Sequence, residues 1–128
     1  MKYYFSKELN EEFDRVIDRV VAELKKEGFG ILTEIDVKET LRKKLNVDFP
    51  RYRILGACNP PFAYKALQAE ERIGTMLPCN VVVRELGSGT VEVVAVDPVA
   101  SMQAVENPRL EEIAEAIRDK LQAVLERL

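Results

Sequence analysis

Residues 79–97 read CNVVVREL-GSG-TVEVVAVD, and this stretch decides the fold class. β-branched residues fill both halves, and Gly87-Ser88-Gly89 divides them, which is the pattern of two strands joined by a three-residue glycine-containing turn. A two-stranded ribbon is marginal in water, so the rest of the chain must add strands and cover at least one face.

Working toward the N-terminus, Tyr52 to Ala57 is an apolar run suited to a buried strand. Cys58-Asn59-Pro60-Pro61 breaks it and opens a helix through Phe62, Ala63, Ala66 and Leu67, whose first free amides the Asn59 side chain is placed to cap, with Arg72 to Pro78 as an extended return. Earlier, Phe29 to Ile35 forms a strand, and Asp36 with Glu39 three residues on has the spacing of a capping box for a short helix ending near Asn46. Before that, Phe13, Val16, Ile17, Val20, Val21 and Leu24 recur at helical spacing up to a stop at Gly28, and Lys2 to Phe5 supplies a first strand.

Toward the C-terminus, Val99 to Val105 adds a helical turn. Asn107-Pro108 then provides a cap and a first-turn proline for a helix carrying Leu110, Ala114, Ile117, Leu121, Val124 and Leu128 on one stripe, which faces either the sheet or a second subunit, the sheet being preferred because an α+β domain must cover that face. The order β-α-β-α-β-α-β-β-α predicts a single α+β domain over residues 1–128, an antiparallel sheet with helices on one face.

Composition narrows function chiefly by exclusion. The 128 residues are 47% hydrophobic and 32% charged, the make-up of a folded soluble domain, and no apolar stretch is long enough for a membrane helix. The opening residues lack an apolar leader core, so the expectation is a cytoplasmic protein without membrane attachment. A net charge of -3 opposes phosphate neutralisation and hence nucleic-acid binding. With no histidine, Ser-His-Asp and Cys-His catalysis and imidazole metal sites are ruled out.

The candidate chemistry lies in Cys58, Asn59, Cys79 and Asn80. The cysteines are twenty-one positions apart, one at a strand end and the other at the next strand start, which brings them to one end of an antiparallel sheet. Three readings stand: small buried packing residues, a redox or sulfur-handling pair, or two soft metal ligands. Two thiolates without histidine half-fill a tetrahedral site, so no metal is expected, and no motif calls for a cofactor. Gly28-x-Gly30 and Gly87-Ser88-Gly89 lie in the wrong contexts for phosphate loops. The basic stretch Lys38, Arg42, Lys43, Lys44, Arg51, Tyr52 and Arg53 has two readings, a site for an acidic ligand or RNA and, preferred, a solvated helix face plus a strand edge kept charged against aggregation.

Three stretches, Gly28-Phe29-Gly30-Ile31-Leu32, Ile54-Leu55-Gly56-Ala57-Cys58-Asn59-Pro60 and Ile73-Gly74-Thr75-Met76-Leu77-Pro78-Cys79-Asn80-Val81, resemble the family called domain of unknown function 302. The resemblance spans nearly the whole chain. It implies a fold similar to that of the TATA-box-binding protein, with a curved antiparallel sheet and a long C-terminal helix, and it implies no established activity.

Two functional classes follow. One is a non-enzymatic domain binding a small molecule or partner between the sheet and the long helix. The other is a thiol-based activity on Cys58 and Cys79. Thr90 to Val96 is apolar on both alternating faces while helices cover one, which predicts a homodimer.

Overall fold

The structure, a computed structural model, describes residues 2–128. Its sheet contains five strands, β1 (Tyr4–Leu9), β2 (Gly30–Asp36), β3 (Tyr52–Cys58), β4 (Cys79–Glu85) and β5 (Val91–Val96). They are antiparallel throughout, in the order β1-β5-β4-β3-β2. The hairpin predicted from residues 79–97 occupies the centre, where both strands gain a partner on each side. Its turn closes with Gly89 at φ +85°, a conformation glycine adopts without the Cβ penalty.

Five helices complete the chain, α1 (Phe13–Lys26), α2 (Val37–Leu45), α3 (Pro60–Ala69), α4 (Pro98–Ser101) and α5 (Glu111–Arg127), the last entered through a 3-10 turn at Pro108–Leu110. The apolar stripe of α1, Phe13, Val16, Ile17, Val20 and Leu24, packs with Ile117, Leu121, Val124 and Leu125 of α5 onto Leu55, Ala57, Val81, Val83, Val93 and Ala95 of the sheet. The C-terminal stripe therefore serves the sheet, the preferred of its two readings. A satellite cluster of Ala66, Ile73, Met102, Leu110 and Ala114 packs α3 and α4 against α5.

Three local readings differ from the sequence expectation, each for a physical reason. Strand β1 runs to Leu9, because an edge strand tolerates Ser6 and Glu8 on its uncovered face while Phe5 and Leu9 face the core. The link before β4 is not extended. It contains a 3-10 turn, Ile73–Met76, held by burial of Ile73 in the satellite cluster. Asn59 makes no cap for α3, and its side chain is engaged elsewhere. The Asp36 cap of α2 forms as read, with its carboxylate accepting from the Glu39 amide at 3.0 Å, and α2 ends at Asn46 in the left-handed region.

The helices α1, α3 and α5 share one side of the molecule, whereas α2 buries none of its residues. On the opposite face of the sheet, register aligns Ile35, Ile54, Val82, Val94 and Ser6 in one row across all five strands. None of these residues is buried.

Candidate functional site

A cavity of about 320 Å³ opens at the end of the sheet where β2 begins, β3 ends and β4 begins. Its floor consists of buried residues: Phe29, Ala57 and Cys79 from the sheet end, Ala66 from α3, Met102 after α4, and Ile117 from α5. Exposed Leu32, Leu67 and Gly74 lie at its rim, with half-buried Ala63, Leu77 and Pro78 between floor and rim. An almost wholly apolar lining of this volume, with few polar groups, has the character of a small-molecule pocket.

Local backbone devices shape it. Between Ile31 and Thr33 the β2–β3 register shifts, leaving Leu32 as the extra residue of a bulge and delivering it to the cavity rim. Beside the cavity, Gly56 is buried with the Thr33 and Pro78 side chains over it. A Cβ there would stand 2.2 Å from Thr33 Oγ1 and 2.8 Å from Pro78 Cγ. Glycine at this position lets the Leu77–Pro78 segment, joined by a cis peptide, close onto β3.

Asn59 is the one buried polar residue among the described residues, 7% exposed. Its Nδ2 donates to the Glu27 carbonyl at 3.0 Å, at the C-terminal end of α1 where helix carbonyls lack partners. The following Gly28, at φ +89°, brings its Cα close enough that an added Cβ would meet Asn59 Nδ2 at 3.2 Å. Asn59 thus ties the α1–β2 turn to the β3–α3 junction and fixes two walls of the cavity. The capping of its own helix expected from sequence is replaced by capping of a distant one.

The cysteines are neighbours without being partners. Cys79 stands opposite Ala57 in the ladder, one residue from Cys58. Strand alternation then assigns Cys58 to the face opposite Cys79, which corrects the expectation of a cysteine pair: both thiols are free. Burial, reinforced by the nearby Cys58, pushes the Cys79 thiol up to about 11. It is therefore a neutral, weakly nucleophilic thiol at pH 7, the opposite of an activated redox cysteine. Among the sequence candidates, Cys58, Asn59 and Cys79 line the cavity, whereas Asn80 is exposed across from Gly56 and does not.

Sequence reasoning missed Ala63, Ala66, Leu67, Met102 and Ile117 as cavity residues. No local signal marks them, because the docking of α3, α4 and α5 brings them together. Phe29, Leu32, Ala57, Gly74, Leu77 and Pro78 did fall within the quoted motif stretches.

Other surfaces are accounted for without a ligand. A hollow of about 400 Å³ near the α1 N-terminus holds Glu12, Arg51 and Glu85, but Arg51 lies over the Phe13 ring at 4.6 Å and bridges both carboxylates. The Arg51 backbone amide and then its guanidinium hold the Glu85 carboxyl below its ordinary value. In the basic stretch, Lys38 pairs with Asp48, Lys43 with Glu39, and Arg53 with Glu34 and Asp36, which leaves Arg42 and Lys44 as cations without an ion-pair partner among the described residues, two charges rather than a phosphate-neutralising cluster. A hollow of about 540 Å³ between α4 and α5 carries Glu106, Glu111 and Glu115 and none of the motif residues. No group of three metal-ligating side chains occurs among the described residues, and no helix is long and apolar enough to cross a membrane.

The family model described as "Domain of unknown function DUF302" matches residues 5–128. The crystal structure of an uncharacterized conserved protein DUF302 from Bacillus stearothermophilus is similar at a TM-score of 0.92 and 32% identity, covering 99% of this chain and 98% of that one. The likeness thus extends over the whole fold. No functionally curated protein shows significant similarity to the chain.

Proposed function

The chain belongs to the DUF302 family, and from that premise we propose that it is a non-enzymatic, cytoplasmic small-molecule-binding domain, with the cavity at the sheet end as its binding site. The observation that carries this reading is the convergence of the Cys58-Asn59 and Leu77-Pro78-Cys79 stretches on one apolar cavity. A 150 Å³ apolar cavity accommodates benzene, so about 320 Å³ suits a ligand of roughly twice that size, such as a bicyclic aromatic or a medium aliphatic chain. Recognition rests on shape and apolar contact, with the two thiols as soft polar groups at the wall.

Amide chemical-shift titration with naphthalene, indole and octanoate as probes tests the assignment. Saturable shifts confined to the cavity lining are expected, in β3, α3 and the Gly74–Cys79 segment together with Phe29, Leu32, Met102 and Ile117. Gly74 has open space where a Cβ would stand, so Gly74→Trp folds normally and covers the mouth, abolishing those shifts. Unchanged binding in Gly74→Trp, or no saturable shift with any probe, overturns the assignment.

A further inference from the structure

Two apolar surfaces of the chain lack a cover. The first is the row Ile35, Ile54, Val82 and Val94 on the open face of the sheet, with Ile35 47% exposed. The second is α2, whose Val37, Leu41 and Leu45 recur at four-residue steps, yet belong to neither hydrophobic cluster. Leu45 is 66% exposed, and Val47 and Phe49 beyond it are exposed as well. The Phe49 ring lies 6.2 Å from that of Tyr52, which shares the open face with Ile54 and so connects the two surfaces.

We propose that the open sheet face and α2 together form a two-fold interface with a second copy of this chain. Five strands about 4.8 Å apart and six residues long at about 3.3 Å span a face of roughly 500 Å², so two faces bury about 1,000 Å², the lower bound of a specific interface. The sheet alone is marginal for a stable dimer, and the exposed apolar side of α2 adds to it.

The direction of the two-fold axis decides where α2 falls. With the two-fold axis lying between the sheets and parallel to the strands, β2 of one copy covers β1 of the other and strand ends stay aligned. The α2 segment follows the end of β2, and Glu8 lies near the corresponding end of β1, one step from Leu9. Arg42 and Lys44 of α2 therefore approach Glu8 of the second copy. None of these three has an ion-pair partner within the chain among the described residues. Unlike charges meet at both symmetry-related corners and the apolar rows meet across the centre, where Arg84, which faces the same residue of the second copy, is neutralised by its pairing with Glu92.

Sedimentation equilibrium of the full chain tests this. The expected mass at micromolar concentration is twice 14.6 kDa. Leu45→Glu, at a position that contributes nothing to the folded core, and Val82→Glu, on the open face, each weaken the dimer at least about tenfold. Glu8→Lys weakens it, and Arg42→Glu with Lys44→Glu in the same chain restores it. Tyr64→Glu, on exposed α3, leaves the dissociation constant unchanged. A 14.6 kDa particle at 100 µM overturns the proposal, as does a dimer indifferent to both Leu45→Glu and Glu8→Lys. If Val82→Glu fails to fold, the α2 and Glu8 variants decide the question by themselves.

Discussion

The same five strands present two faces that the rest of the chain treats differently. On the closed face, Leu55, Val81, Val83, Val93 and Ala95 are fully buried under α1 and α5. On the open face, Ile54, Val82 and Val94, their immediate neighbours in sequence, remain only partly buried. Val81, Val82 and Val83 are chemically identical, so the difference lies in where the helices can reach. An antiparallel sheet needs one covered face, and apolar residues on the second are a surplus that folding of the single chain does not use. The cavity sits at the end where this division breaks down, because the Leu32 bulge and the Pro78 segment reach around the sheet end.

The largest expected effect sets one face against the other. Leu55→Ala opens a cavity in the closed face and costs about 2–5 kcal/mol in denaturant unfolding, whereas Ile54→Ala, next to it on the open face, costs less than about 1.5 kcal/mol at protein concentrations low enough to exclude association. Equal losses at the two positions would break the comparison.

Next comes the place where the open face is closed locally. Gly56→Ala sets a Cβ against Thr33 and Pro78 and is expected to cost about 1–3 kcal/mol, even though alanine is otherwise the better strand residue. Thr33→Ala should recover a measurable part of that loss by removing the nearer clash. A neutral Gly56→Ala would mean that the Pro78 segment does not rest on β3.

The polar tie at the cavity wall is of similar or smaller size. Asn59→Ala leaves the Glu27 carbonyl without its partner and is expected to lower stability by about 1–3 kcal/mol, against less than about 0.5 kcal/mol for exposed Asn80→Ala. Amide exchange at the α1–β2 turn should rise in the first variant alone.

The smallest effect is carried by the thiols, one assigned to each face. The folded chain holds the Cys79 proton more tightly than the unfolded chain does, since its value rises from 9.0 to about 11. Its contribution to stability is therefore complete below about pH 9 and drains away as pH rises through 11. A pH series should show wild type losing stability in that window relative to Cys79→Ala. Alkylation at pH 8 should modify half-buried Cys58 first and leave buried Cys79 intact. Fast modification of Cys79 at neutral pH would contradict its burial and reopen the thiol chemistry.

Most of the architecture was legible because it depends on local period and punctuation. Glycine and proline mark the turns around residues 28, 60, 78 and 87–89, β-branched runs mark the central hairpin, and four- and three-residue spacing marks α1 and α5. The absence of histidine excluded imidazole chemistry at once, and strand order brought Cys58 and Cys79 to one end of the sheet. Which face each cysteine takes, however, depends on a register offset of one residue, and alternation turns that single step into opposite sides of the sheet. The choice of buried valines, the role of Asn59 as a cap for a helix thirty-two residues away, and the meeting of Leu32, Met102 and Ile117 at one cavity were likewise decided only by packing. Sequence fixes the period of each element, but contacts between elements distant along the chain are set by how their surfaces fit once the chain has folded.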